Sequence, residues 1–371
     1  MMTRTFLPVG QGACYLEQFR CGGSRFTIMY DCGSITPLGQ IDNLLPQYLP
    51  KGTHVDALFI SHFDNDHVNG LPFVLQEYKV RNLFLPLITE DECSLLRLYF
   101  TVFSSSQKEK AVFDQLLTGS YQRNDLSVFY VRPRRYENEN AFIRDGDLQT
   151  VSSGENVSGR IFRQAVPQEA PCSWEFVPFN FQQQNRIGAL REELFRLFGQ
   201  NLSLQEVMDS VKRNKDYVAN IKEAYKSISG NLNENSLVLF SGSVDETLRQ
   251  RYECPCLGAN DCPVFPFSTP SGCLYMGDYN AKGTAQWNEL DRAFKQYWNR
   301  IGCLQIPHHG SKHNYNKKLT NNYPCYYVIS AGMHNRYRHP NKEVISNMLS
   351  KKAYPFWVNE NPTTTVVLTV W

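Results

Sequence analysis

The chain has 371 residues, 42% of them apolar and 13% aromatic, with 38 basic against 36 acidic side chains. That material suffices for one large domain or two ordinary ones. A net charge of +2 excludes an extreme acidic or basic tail but leaves room for a local basic patch. No apolar run approaches the roughly 18–20 residues that span a bilayer, and no extended apolar segment precedes Gly10. The expectation is a soluble, cytoplasmic protein without a signal peptide or membrane association. The 11 cysteines read as reduced, mostly buried thiols, because a disulfide scaffold is usually short and evenly paired.

Short apolar or alternating runs at Thr5–Val9, Ala13–Phe19 and Phe26–Tyr30 predict strands, and Gly10, Gly12, Gly22 and Gly23 predict hairpin turns between them. Asp31-Cys32-Gly33-Ser34 closes the third run in a polar loop, and Ile41–Tyr48 reads as a short helix. Val55–Ile60 is almost continuously apolar, as a strand buried on both faces requires. Ser61-His62-Phe63-Asp64-Asn65-Asp66-His67 follows directly, and Val80–Leu85 reads as another buried strand.

Residues 90–233 change character. Arg132–Arg160 is polar and aperiodic, which predicts a loop or linker. Ile187–Gly230 predicts helices: Leu190, Leu194, Leu197 and Phe198 share one face, and Val218, Ile221, Tyr225 and Ile228 share another. Ser203 with Glu206 fits a capping box, and Gly230 is a natural stop. Core packing accounts for these stripes, so the stretch reads as an insertion or cap. Strand signals return at Ser236–Phe240, Gly272–Met276, Ile301–Ile306 and Tyr326–Ile329, with helices at Glu289–Trp298 and Lys342–Leu349. Thr365–Trp371 also has strand length.

Two clusters carry chemistry. The first is His62, Asp64, Asp66 and His67; the second is His308 and His309, followed by Gly310 and Ser311. Both sit in tight loops after strand-like runs, where α/β folds place their chemistry. In an extended turn His62 and Asp64 point to one side, leaving Asp66 and His67 to reach a second ion. A pair of ions about 3.5–4 Å apart can activate water and clamp an oxyanion. The plain alternative is an Asp-rich turn with capping histidines, and four ligand-type residues within six positions weigh against it.

Other candidates are weaker. Cys254, Cys256, Cys262 and Cys273 suggest a zinc knot, but the spacing lacks a repeated CxxC, and Cys14, Cys32 and Cys303 read as core thiols. Arg132, Arg134 and Arg135 with Tyr130 and Tyr136 could stack single strands, from a loop with no assigned place.

His62-Phe63-Asp64-Asn65-Asp66-His67 resembles an HxDxDH variant of the metallo-β-lactamase HxHxDH motif. Val9-Gly10-Gln11-Gly12 and Tyr30-Asp31-Cys32-Gly33 resemble the VGQG and DxG segments of ComEC-like competence-protein hydrolase domains. So do Asp56-Ala57-Leu58, Asn235-Ser236-Leu237-Val238-Leu239, Met276-Gly277-Asp278, Pro307-His308-His309-Gly310-Ser311 and Asn335-Arg336-Tyr337-Arg338-His339-Pro340. In order, these segments cover residues 6–85 and 234–345.

The resemblance implies an α/β fold, the metallo-β-lactamase αββα sandwich. Residues 1–89 and 234–371 would form its halves, and 90–233 a partly helical insertion. It implies that His62 and Asp64 bind a first ion, Asp66 and His67 a second, and that Asp278 bridges them. One of His308 and His309 completes the second site. Asp31 braces the metal loop, His339 lies near the substrate phosphate or donates a proton, and Ser311 and Asn335 support the site or touch substrate. Asp66 and His339 are thus the candidate catalytic residues. The implied cofactors are two divalent ions, zinc or manganese, with magnesium a further option.

The departures matter too. No histidine lies between His67 and His308, so the first site lacks an imidazole many relatives have. It must borrow a donor, stay open to water or bind weakly. Asp64 stands where those relatives carry histidine, which shifts preference from Zn²⁺ towards Mn²⁺ or Mg²⁺. Pro8 stands where ComEC-like domains often have Asp. On this fold, Lys312, Lys317, Lys318, Arg336 and Arg338 are expected at the mouth of the site, suited to a phosphate backbone; the alternative is a solvated surface. The implied activity is metal-dependent hydrolysis by a free-standing nuclease or phosphodiesterase with nucleic acid as substrate. The rivals are a small-molecule ester, lactone or phosphocholine-type hydrolase and a regulatory module with a decayed metal site.

Overall fold

Alternation of inward and outward side chains lets Gly12–Cys21 and Ser24–Ser34 run as a long antiparallel pair, from Gly12 opposite Ser34 to Cys21 opposite Ser24, with one register shift between Ala13 and Tyr15. In this computed structural model the described residues are 2–21, 23–104, 107–134, 148–162, 173–181, 187–199, 203–213, 216–227, 236–254, 267–321 and 325–371. The pair lies inside a large mixed sheet. Its order is Thr269–Pro270, Arg249–Tyr252, Val366–Val370, Met2–Phe6, Gly12–Cys21, Ser24–Ser34, Ala57–Phe59, Asn82–Pro86, Ser127–Arg132, Thr150–Ser152. A second sheet runs Trp174–Phe181, Ser236–Ser243, Gly272–Tyr275, Ile301–Gln305, Tyr326–Ser330, Pro355–Val358.

The two-residue period of each strand sorts its side chains between layers. Phe6, Tyr15, Tyr30, Phe59 and Phe84 of the first sheet pack against Phe176, Leu239, Tyr275, Cys303 and Val328 of the second. Leu58, Leu83 and Leu85 point the other way, onto helices Ile41–Tyr48, Leu71–Glu77, Glu90–Phe103 and Gln107–Leu117. On the far side, Val238, Leu274, Leu304 and Tyr327 meet helices Thr284–Ala293 and Lys342–Ser350. The order of layers is therefore helix, sheet, sheet, helix, and the apolar run Ala57–Ile60 follows from burial on both faces. Among the described residues no helix is long and apolar enough to cross a membrane.

Strands within the span 90–233 join both sheets. Ser127–Arg132 and Thr150–Ser152 extend the first sheet, and Trp174–Phe181 edges the second. Pro178 hid that last strand, since proline lacks the N–H a central strand needs; here the strand is paired through Ser236–Ser243 and lies at the end of the sheet order. The polar stretch 132–160 likewise holds the Thr150–Ser152 strand and a short helix, Ser158–Phe162. The expected helical region is present as Ile187–Phe198, Leu204–Arg213 and Asp216–Ser227, whose Leu194, Val207, Ile221 and Ala224 pack on Leu95, Leu98 and Val102. Ser203 and Glu206 form the reciprocal capping pair. Ile228 and Gly230 lie outside the described residues.

An ion pair, Arg4 with Glu17, sits buried between the sheets. Arg4 is 0% exposed and donates from Nε to Glu17 Oε1 at 2.8 Å and to the Tyr275 hydroxyl at 3.0 Å, and from Nη1 to Gln250 Oε1 at 2.5 Å. Removing the guanidinium strands the buried Glu17 carboxylate, an outcome that costs about 3–5 kcal/mol. Arg4→Ala is expected to lower the urea midpoint by that amount of stability. An unchanged midpoint would show that the pair contributes nothing.

Candidate metal centre

The site gathers where parallel strands of both sheets end. Ala57–Phe59 leads into His62, Gly272–Tyr275 into Asp278, Ile301–Gln305 into His308 and His309, and Tyr326–Ser330 into Asn335 and His339. Carboxyl ends of parallel strands face the crevice where α/β folds bind ligands. Because each loop starts from a strand pinned by its neighbours, the side chains arrive on a rigid frame.

Asp278 lies at the middle. Its carboxylate is 3.1 Å from His67 Nε2, 3.6 Å from His308 Nδ1, 3.7 Å from His62 Nε2 and 3.9 Å from His309 Nε2. Asp64 Oδ2 stands 3.6 Å from His62 Nε2, and Asp66 Oδ2 lies 3.1 Å from His309 Nε2. His62, His67 and Asp278 form one group able to hold a cation; Asp66, His67 and His309 form another. The buried nitrogens His62 Nε2 and His308 Nδ1 have no hydrogen-bond partner. Buried polar atoms rarely go unpaired, and imidazole nitrogens turned on one carboxylate are the arrangement a divalent cation satisfies.

The outer nitrogens explain the aim of the inner ones. Asp31 accepts from the Ser61 N–H at 2.7 Å, from the Ser61 hydroxyl at 2.7 Å and from His67 Nδ1 at 2.8 Å. The Ser61 oxygen lies 2.8 Å from His62 Nδ1 and, with its own proton on Asp31, accepts there. His309 Nδ1 donates to the Ser330 carbonyl at 2.7 Å. Each contact places a proton on the outer nitrogen and leaves a lone pair on Nε2, the ligand tautomer. The Asp278 loop is held as firmly: Gln305 Oε1 accepts from the Met276 and Gly277 N–H groups, Ser236 Oγ from Asp278 N–H, and Asn314 donates to the Asp278 carbonyl.

Backbone geometry separates the adjacent histidines. His308 and His309 both take left-handed conformations, with φ of 49° and 54°, which non-glycine residues adopt at a cost. The two rings end 6.1 Å apart and nearly perpendicular, at 88°. His309 reaches Asp66, and His308 reaches the side of Asp278 that faces His62. Gly33 has a different constraint: a Cβ there would sit 2.4–2.5 Å from the Asp66 and His67 backbone, so only glycine lets the metal loop lie against the DxG strand.

Burial alone would neutralise the acidic groups, but neighbouring imidazoles outweigh it. Burial raises Asp66, yet the His309 hydrogen bond and the His67 and His309 rings hold it below the ordinary carboxylate range. Burial raises Asp278, and His308, His67 and His62 hold it well below that range. Burial lowers His67 and His309, while Asp278 and Asp31 for the first, and Asp66 and Asp278 for the second, push them up. His339 has no close carboxylate to offset its burial. With His309 and His308 beside it, its pKa falls to about 4.

The remaining candidates fall in other places. Asn335 accepts from the His339 N–H at 2.9 Å and donates to the Gly332 carbonyl at 2.6 Å, so it shapes the His339 loop. Ser311 is buried; its N–H closes the His308 turn at 2.8 Å, and its hydroxyl accepts from the His313 N–H at 3.2 Å. Lys312 pairs with Glu343, and Lys318 lies over the Trp287 ring on the outer helical layer. Arg336 and Arg338 are exposed on the His339 loop. Tyr130 is buried, with its hydroxyl on the Leu116 carbonyl, which removes it as a stacking surface; Arg135 and Tyr136 lie outside the described residues. Cys273 is buried between the sheets opposite Cys303, away from any knot with Cys254, and Cys256 and Cys262 lie outside the described residues. Ser61 and Gln305 had no assigned role in the sequence. A polar residue closing an apolar strand was the available signal for each.

When no cation competes, the carboxylates around His67 and His309 outweigh burial and hold their protons to higher pH than an ordinary imidazole does. In that form their pairing with carboxylates stabilises the fold below the ordinary histidine pKa of about 6.5, and the contribution fades as pH rises through the raised values. Ligation needs their Nε2 lone pairs, so cation binding should release protons, and affinity should fall with falling pH. Calorimetric titration with Mn²⁺ in buffers of different ionisation heat measures this. Heat independent of buffer would refute it.

No protein-family model matches the chain, and no curated protein does. Among solved structures, the chain is similar to one described as a new diphosphatase from the PhnP family, at 9% sequence identity and a TM-score of 0.33, covering 98% of this chain and 89% of that chain.

Proposed function

We propose that the chain is a metal-dependent phosphodiesterase with the metallo-β-lactamase sandwich, acting on nucleic acid. The observation that carries the reading is the convergence of the buried imidazole nitrogens of His62, His67 and His308 on the Asp278 carboxylate. The layer order of helix, sheet, sheet, helix and the motif resemblance to ComEC-like hydrolase domains support it.

The donor set fits two divalent cations. His62, Asp64, Asp278 and His308 would hold the first; Asp66, His67, His309 and Asp278 would hold the second. His308 thus takes the place of the imidazole missing between the two sequence clusters. Mixed nitrogen and oxygen donors suit Mn²⁺ or Zn²⁺ better than Mg²⁺. Such ions supply Lewis acidity, lowering the pKa of water and offsetting charge on phosphoryl oxygens.

The chain's own residues then orient and tune. Asp31 and Ser61 hold His67 and His62 in the ligand tautomer, and Ser330 does so for His309. Asp66, kept ionised, stays a ligand rather than a proton donor. His339 is neutral at ordinary pH, and its Nδ1 is 3.2 Å from the His308 carbonyl. With the proton on that nitrogen, Nε2 accepts a hydrogen bond rather than giving one, so protonation of the leaving oxygen falls to solvent. One observation favours a small-ester hydrolase instead: Tyr99 on the helix Glu90–Phe103 lies near enough to Asp64 and Asp66 for their charges to add to burial in raising its phenol, so a helical wall stands beside the site.

Elemental analysis of protein purified without chelator, with cleavage assays on single- and double-stranded DNA in Mn²⁺, tests the reading. About two ions per chain and cleavage are expected. Asp278→Asn and His67→Ala should reduce the rate on the order of 100-fold or more, and Asp31→Asn by about 10–100-fold. Bound metal with cleavage of small esters alone would favour the rival hydrolase. No metal and no cleavage would indicate a decayed binding module.

A further inference from the structure

A run of rings leads from the histidine cluster to the surface. His339 stacks on His308 with centroids 5.6 Å apart and planes at 19°. Tyr337 meets His339 edge-on at 5.8 Å and 90°. The Arg336 guanidinium lies 4.7 Å over the Tyr337 ring, and its Nη2 donates to the Tyr337 hydroxyl at 2.6 Å. Tyr337 is nevertheless 47% exposed, and Met333 on the same loop is 50% exposed.

The loop that presents these groups is built to hold its shape. Asn335 spans it, donating to the Gly332 and His339 carbonyls and accepting from the His339 N–H. Arg338 takes a left-handed φ of 59°, which sets the turn between Tyr337 and His339. An exposed tyrosine and guanidinium on such a loop lose little freedom when a planar ligand covers them. Arg336 and Arg338 are both exposed, so the loop is also positively charged.

We propose that Tyr337 and Arg336 form a stacking platform for the nucleobase beside the phosphodiester held at the histidine and aspartate cluster. The inference rests on the phosphodiesterase reading and names what that site recognises beyond phosphate. Every base has a π-face, so an aromatic ring and a guanidinium plane grip the strand without reading its sequence. Two ring steps separate Tyr337 from His308, the order of the span from a nucleotide's phosphate to its base. The substrate class is therefore single-stranded or frayed nucleic acid, whose bases are free to leave their own stack.

The test uses the full chain with Asp278→Asn to stop turnover, and short single-stranded DNA carrying 2-aminopurine or an abasic tetrahydrofuran residue. Tyr337 in place should quench 2-aminopurine and favour the base-bearing strand over the abasic one. Tyr337→Ala should abolish the quench and reduce that preference about tenfold, and Tyr337→Trp should restore both. The side chain is on the surface, so folding of the variants is not at stake. An unchanged quench and preference in Tyr337→Ala would overturn the platform while leaving the phosphodiesterase reading intact. No binding or cleavage of any nucleic acid by the unaltered chain would overturn both.

Discussion

Asp31 grips the metal loop from three directions, and the rest of the site depends on that grip. Its two oxygens accept from the Ser61 N–H, the Ser61 hydroxyl and His67 Nδ1. The carboxylate thereby fixes where the loop leaves the strand Ala57–Phe59, which way His62 turns and which tautomer His67 adopts. Asp31 has a φ of 56°, a conformation worth about 1–3 kcal/mol of strain that persists only where surroundings over-determine it. The same holds for His308, His309 and Arg338, all bordering the same cluster. These left-handed residues lie in the segments that carry the histidines and aspartates.

The two-sheet architecture explains why the ligands can come from so far apart in the chain. Each sheet turns the carboxyl ends of parallel strands to one edge, and the layer of Phe6, Tyr15, Tyr30 and Tyr275 locks the sheets together below that edge. Leu237 N–H bonds to the Ser61 carbonyl at 2.7 Å, and the Tyr30 hydroxyl donates to the Leu237 carbonyl at 2.7 Å. These bonds tie the first ligand loop directly to the second sheet. Asp278 can therefore meet histidines from both sheets without any loop having to search for the other.

Much of this was legible in the residues, for identifiable reasons. His62, Asp64, Asp66 and His67 share six positions, so local spacing alone brings them together. The helix Ile41–Tyr48 carries a periodic signal, and the strand Ala57–Phe59 is marked by an almost continuous apolar run. The separate destinations of His308 and His309 were not legible, because they depend on two consecutive left-handed residues that neither side chain announces. Trp174–Phe181 was hidden by Pro178, and Ser127–Arg132 by the polar stretch after it. The supporting roles of Ser61 and Gln305 arise from tertiary hydrogen bonds, which no window of sequence contains. Tyr130 shows the converse: a residue that looks available beside arginines is sealed by its contact with Leu116.

The central claim is that one carboxylate, Asp278, joins two neighbouring cation sites. Electron paramagnetic resonance of the chain titrated with Mn²⁺ tests it most directly. The account predicts a spin-coupled pair once two equivalents are bound, replaced by uncoupled Mn²⁺ in Asp278→Asn. Two uncoupled ions in the unaltered chain, or binding of a single ion, would contradict it.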